Sequence, residues 1–134
     1  MPRILMTALA VVLAWPLTAL AQAGTAAKSS EPFKVGTFLI DKTQTTGLVL
    51  RDSLVVDLVE ANAALEKTRS FPARRMPSEM VALIGEYENG LKGRLYAIVN
   101  ELVQSKALDG KRPAYVRDLS QVKTLARSRG HGRS

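Results

Sequence analysis

Phe33-Lys34-Val35-Gly36-Thr37-Phe38-Leu39-Ile40, followed by the runs Thr45 to Arg51 and Leu54-Val55-Val56-Asp57-Leu58, is the stretch that decides the fold. Side chains on a strand alternate between two faces, so Phe33 and Val35 share a side, with Thr37 and Leu39 in line behind them. Asp41-Lys42-Thr43-Gln44 reads as a polar turn and Asp52-Ser53 as a tighter one. Connections this short join strands that run in opposite directions. The expectation is a three-stranded antiparallel meander.

Moving toward the carboxyl end, Asp57 suits the N-cap of a helix over Leu58 to Lys67, because its carboxylate can accept from the free amides of the first turn. Ala61, Ala64 and Leu65 give that helix a shallow apolar face. Ser70 to Pro77 holds two prolines and two arginines and reads as a loop. A second helix is expected to begin at Ser78, with Glu79 in its first turn, where negative charge suits the helix dipole. Met80, Leu83, Ile84 and Tyr87 form its apolar face, and Asn89-Gly90 stops it. Leu91, Leu95, Ile98, Val99, Leu102 and Val103 then recur at helical spacing. Asp109 to Pro113 is a loop, and Tyr115 to Leu119 and Val122 to Leu125 are short extended pieces returning to the sheet. The predicted class is α+β: a small antiparallel sheet with two or three helices packed on one face.

Moving toward the amino end, Gly24 to Pro32 is small, polar and turn-rich and is expected to be a flexible lead-in. Before it, Met1-Pro2-Arg3 supplies a short positive region and Ile4 to Ala14 an apolar stretch broken only by Thr7. Trp15-Pro16 interrupts any helix there. Ala19-Leu20-Ala21 and Ala21-Gln22-Ala23 are overlapping small-x-small processing patterns. The layout is that of a cleavable secretory signal peptide over residues 1–23, with the mature chain starting at Gln22 or Gly24. A membrane-spanning helix needs roughly 20 apolar residues, more than this broken run offers. The expected location is periplasmic or secreted, with no membrane association after cleavage.

The chain has 134 residues, enough for one small domain. It has no cysteine, which excludes a disulfide scaffold, a thiolate metal site and a cysteine nucleophile. The net charge is +7, but Arg3, Arg127, Arg129 and Arg133 are four of the 19 basic residues. The body is left with 15 basic against 12 acidic residues, a net of only +3. Arg74-Arg75, beside Lys67 and Arg69, is the one local cluster, and it reads as a solvated linker rather than a basic stripe on one face. No nucleic-acid partner is expected.

No complete catalytic site can be assembled. His131, the sole histidine, lies in Arg-Gly-His-Gly-Arg, with no hydrophobic residue to fix it and no partner to orient it. Glu86 and Glu88 flank Tyr87 near a helix end, and two carboxylates alone rarely hold a hard cation. The span Gly85 to Lys92 lacks the preceding strand and the Gly-Lys-Ser/Thr ending of a phosphate loop. Asp52-Ser53 is a turn without a histidine to activate the serine. No catalytic, cofactor-binding or metal-ligating residue is assigned.

The block from Phe33 to Phe38, then Gly47 to Leu58 and Ala61-Asn62, resembles the N-terminal region of fumarylacetoacetate hydrolase family proteins. Met80 to Tyr87 is similar to that family's Met-x-x-Leu-Ile-x-x-Tyr helix. Gly90-Leu91-Lys92 leads into Tyr96-x-Ile98-Val99, and Val122 to Ala126 resembles the segment just before the catalytic domain. The likeness covers residues 33–126, and the order of the motifs carries it. It implies a small, mostly structural leading domain. In the complete family enzyme a following domain uses a divalent metal such as magnesium, usually for hydrolytic cleavage of a carbon–carbon bond in a β-diketo acid. That domain holds the metal carboxylates, including a Glu-x-Glu pair, so no functional residue carries over to this chain.

Residues 127–134 form a basic tail whose composition breaks with everything before it. Family members usually continue after this Leu-Ala with Pro-Ile and a further proline. One codon set for Arg127-Ser128-Arg129, CGA-TCC-CGC, becomes CCG-ATC-CCG, which is Pro-Ile-Pro, when one C is placed in front. A frameshift after Ala126 is thus permitted, and the expected chain is a leading domain truncated before its catalytic partner. The alternative is a small periplasmic binding or interaction protein without enzymatic activity.

Overall fold

The computed structural model describes residues 24–125. The expected signal peptide, Ala126, the basic tail and His131 lie outside the described residues. The fold is α+β, a five-stranded antiparallel sheet with helices on it. In chain order the strands are β1 (Phe33–Ile40), β2 (Thr43–Leu50), β3 (Leu54–Asp57), β4 (Val116–Asp118) and β5 (Lys123–Thr124). The helices are α1 (Leu58–Thr68), α2 (Met80–Glu86) and α3 (Lys92–Gln104). The strands lie in the order β4-β3-β2-β1-β5.

The meander is built as its sequence dictates, with a shorter first turn and a second turn one residue longer than expected. Asp41 and Lys42 alone connect β1 to β2, both at positive φ (48° and 65°). Paired left-handed residues give the two-residue hairpin turn that matches strand twist. Thr43 and Gln44, expected in the turn, therefore already pair with Ile40 and Leu39. Arg51 and Asp52 repeat the conformation at 55° and 53° before β3. Leu58 leaves the third strand for the helix, because Asp57 Oδ1 accepts from the amides of Val59 (3.1 Å) and Glu60 (3.3 Å). Replacing Asp57 with alanine leaves those part-buried amides without their acceptor. Urea unfolding should show a loss of about 1–2 kcal/mol, the upper part of the range for an N-cap.

The two faces of the sheet are buried differently. Leu48, Leu50, Leu54 and Val56 meet Leu58, Ala61 and Leu65 of α1 and Leu95, Ile98, Val99 and Leu102 of α3 in the main core. The opposite face carries a smaller cluster of Phe38, Ile40 and Val55, with Val49, Leu119 and Val122 against it. The sheet curls around this second cluster. Laid flat, β4 and β5 would stand roughly 19 Å apart, four spacings of the strand ladder. The link from Asp118 to Lys123 reaches at most about 17 Å even when extended, and it contains a tight helical turn at Leu119–Gln121. Curling brings the edges within reach. Gly36 and Gly47 face each other across β1 and β2. A Cβ at Gly47 would lie 2.8 Å from the Phe38 ring, and one at Gly36 would lie 3.0 Å from it. The ring lies flush on bare backbone, which only glycine allows.

The helical side departs from expectation at three places. The second helix starts at Met80 with Glu79 at its cap position, so Ser78 stays outside it. Its buried residue is Leu83, with Met80 and Tyr87 partly buried, but Ile84 is 65% exposed and does not belong to the apolar face facing the core. Seven residues make two turns, and the chain reverses at once through a widened turn, Tyr87–Leu91, where Gly90 adopts φ 100°. At seven residues the helix buries only one side, through Leu83.

The lead-in, read as flexible from its composition, lies along α3. The Ala26 amide donates to the Gly93 carbonyl (3.0 Å). Asn100 holds it at a second point, its Nδ2 donating to the Lys28 carbonyl (2.9 Å) and its Oδ1 accepting from the Ser30 amide (2.6 Å). A small, polar stretch can dock through its backbone alone, and composition does not report backbone partners.

Candidate functional site

The carboxylates singled out in the sequence are not brought together. Glu86 approaches Arg74 (3.9 Å) and Glu88 approaches Lys92 (4.0 Å), so the pair is divided between two cations on different elements. Among the described residues no group of three His, Asp or Glu side chains could hold a metal ion. These residues do not fit the divalent metal of the resembled family, and no step is derived through one. Asp52 sits in its turn, paired at the surface with Lys34 (3.2 Å). Ser53 caps the same turn, its amide donating to the Leu50 carbonyl (3.2 Å). Arg74 is bound up structurally, donating to the Asn89 carbonyl (3.2 Å), while Arg75 is exposed beside a groove with Glu79 and Glu86.

What the fold does assemble is a polar network inside the helical layer. Arg94 is 2% exposed. Its Nε donates to Asn62 Oδ1 (2.8 Å), and its terminal nitrogen donates to Glu66 Oε1 (2.9 Å) and to the Pro72 carbonyl (2.7 Å). Asn62 Nδ2 returns to the Arg74 carbonyl (2.8 Å), and the Arg74 amide donates to Glu66 Oε1 (2.8 Å). The Phe71 ring lies 4.9 Å from the guanidinium, within reach of a cation–π interaction. Burial pushes the Arg94 pKa down, the Glu66 carboxylate opposes that shift, and neighbouring Arg74 adds to it. The group stays charged, because an arginine titrates far above neutrality. This network fastens the loop 70–77 to α1 and α3. It is architecture: Arg94 Nε and Nη2 and Asn62 Nδ2 all donate within the protein.

An open groove of about 540 Å³ lies between the lead-in and the helices, lined among others by Lys28, Glu31, Phe33, Tyr87 and Tyr96. Phe33 and Tyr96 meet edge to face at 5.9 Å. Burial, then Tyr96 and Glu88, holds the Tyr87 hydroxyl above its ordinary pKa, so it stays protonated and able to donate. Glu31 Oε1 accepts from Arg51 Nε (3.0 Å), and Arg51 also reaches Asp109 (2.8 Å). Glu31 Oε2 is buried and has no hydrogen-bond partner among the described residues.

A second surface stands out by its exposure. Val81 is 84% and Ile84 65% exposed on α2, the large hydrophobics most open to water among the described residues. Glu79 and Glu86 flank them in sequence. No protein-family model, no curated protein and no solved structure matches this chain.

Proposed function

We propose that this chain is the non-catalytic leading domain of an exported fumarylacetoacetate-hydrolase-like protein, whose role is to seat a following metal-dependent domain. The observation that carries the reading is the bare Val81–Ile84 face of α2. Its opposite side anchors in the main core through Leu83, yet the outer side leaves two branched aliphatic residues in water. Paired exposed aliphatics on an otherwise packed unit mark a contact surface. The order of sequence motifs over residues 33–126 supplies the kind of neighbour. In this reading the described residues carry no chemistry of their own, and a following catalytic domain is their natural packing partner.

The double variant Val81→Ser, Ile84→Ser tests it. Neither side chain supports the core of the isolated chain, so the thermal midpoint should stay within about 2–3 °C, the effect of a surface change of under 0.5 kcal/mol. Soluble yield should rise. The purified chain should show no turnover of an acylpyruvate with magnesium present. A variant that unfolds, or measurable turnover by the chain alone, would overturn the reading.

A further inference from the structure

Aromatic residues are scarce in this chain, three Phe, three Tyr and one Trp, yet Phe33, Tyr87 and Tyr96 meet at one groove. They arrive from three elements: β1, the widened turn after α2, and α3. Phe33 and Tyr96 stand at 68° to one another, so their rings form two walls of a corner rather than a flat stack. The space, about 540 Å³ among the described residues, is ample for a small molecule. Two unbalanced charges border it. Arg51 pairs with both Glu31 (3.0 Å) and Asp109 (2.8 Å), so one positive charge is set against two negative ones and the trio stays net negative. The other is Lys28, exposed on the lead-in and held there by its backbone carbonyl rather than by its ammonium. Lys92, 5.9 Å from the Tyr87 ring centre, is offset by Glu88 at 4.0 Å.

We propose that this groove binds a small zwitterion in which a quaternary ammonium is joined to a carboxylate, glycine betaine being the simplest. The positive end suits the rings, because a cation is drawn to the negative face of an aromatic quadrupole. Glu31 narrows the choice of cation. Its Oε2 is buried and takes no hydrogen bond among the described residues. A donor in the groove does not reach an enclosed oxygen, but the charge there is still felt across a poorly polarisable surround. A trimethylammonium responds to that field and has no N–H to leave unpaired, whereas a primary ammonium brings three donors that rings cannot satisfy. The negative end of the ligand meets Lys28, whose flexible stem lets its ammonium follow a carboxylate. A ligand carrying positive charge alone would instead be repelled by Lys28.

An isostere supplies the test. In 3,3-dimethylbutanoate a carbon replaces the betaine nitrogen, so shape and carboxylate are kept and only the positive charge is lost. Both are titrated into the purified full chain while NMR follows the ring protons of Phe33, Tyr87 and Tyr96. Betaine should bind with a Kd of about 1 mM, the weak end of the affinity scale. The isostere should bind at least about tenfold more weakly, the loss expected when a cation–π contact is removed. Choline, which lacks the carboxylate, should bind about threefold more weakly than betaine, and Lys28→Ala should erase that difference, as for an exposed ion pair. Lys28 is exposed, so this variant keeps the fold. Equal affinity for betaine and its isostere overturns the proposal, as does a preference for betaine over choline that survives Lys28→Ala. Ring signals that stay still at about 50 mM betaine, far above the expected Kd, also overturn it.

Discussion

Arg94→Met is expected to destabilise the domain by about 3–5 kcal/mol, the range for removing one member of a buried ion pair. Methionine keeps the long apolar stem, so packing is largely preserved and the loss isolates the guanidinium. Asn62 Oδ1 and the Pro72 carbonyl lose the Arg94 donor, and Glu66 Oε1 loses its ion-pair partner while keeping the Arg74 amide (2.8 Å). Each buried acceptor left without a donor costs about 1–3 kcal/mol. Arg94→Lys should recover only part of this, because a single ammonium cannot span a side-chain amide, a carboxylate and a carbonyl at once. Urea unfolding of the three proteins, followed by far-UV circular dichroism, gives the comparison. A domain of this size has little stability to spare, so Arg94→Met is expected to be largely unfolded at 37 °C. A midpoint unchanged from the parent would mean that water replaces the guanidinium without cost.

The second large effect is expected at Phe38, 2% exposed at the centre of the curled face. Phe38→Ala should cost about 3–5 kcal/mol, as for other buried aromatic truncations. Its ring covers the Gly36–Gly47 pair, so the two sites are coupled in a way a double-mutant cycle can measure. Gly47→Ala in the parent forces its new Cβ against the ring at 2.8 Å and against Val55 at 3.2 Å. Overpacking of that kind costs about 1–3 kcal/mol. In the Phe38→Ala background the methyl enters emptied space, and the penalty should shrink or change sign. Additive costs would show that the ring is not what excludes a side chain at Gly47.

Much of the architecture was legible because local signals agreed with the final packing. The alternation of Phe33 and Val35, the spacing of Leu95, Ile98 and Leu102, and the cap at Asp57 each specify one geometry. The curl was not legible, since it depends on the reach of a later link and on two glycines whose meaning appears only when they are paired. Ile84 was misplaced because helical periodicity over seven residues cannot tell a core stripe from an exposed one. The Arg94 network was missed for a different reason: the stripe of α3 is read from its apolar residues alone, which passes over Arg94. A signal was there. Arg94 falls three residues after Leu91 and four before Ile98, inside the apolar stripe, and Asn62 falls between Leu58 and Leu65 on its own helix. Polar residues at such positions are candidates for one another. The candidate groove was illegible because Tyr87, Tyr96 and Phe33 come from separate elements, and Glu31 from a segment read as unstructured.

The clamp of Asn100 on Lys28 and Ser30 also governs the order of assembly. Its two halves are 72 and 70 residues apart along the chain. A polypeptide delivered amino end first, from a ribosome or through a translocation pore, presents its earliest residues long before their holder arrives. β4 and β5, which close both rims of the sheet, come later still. Early segments must therefore wait as open chain, and the unit can close only after nearly its whole length has emerged.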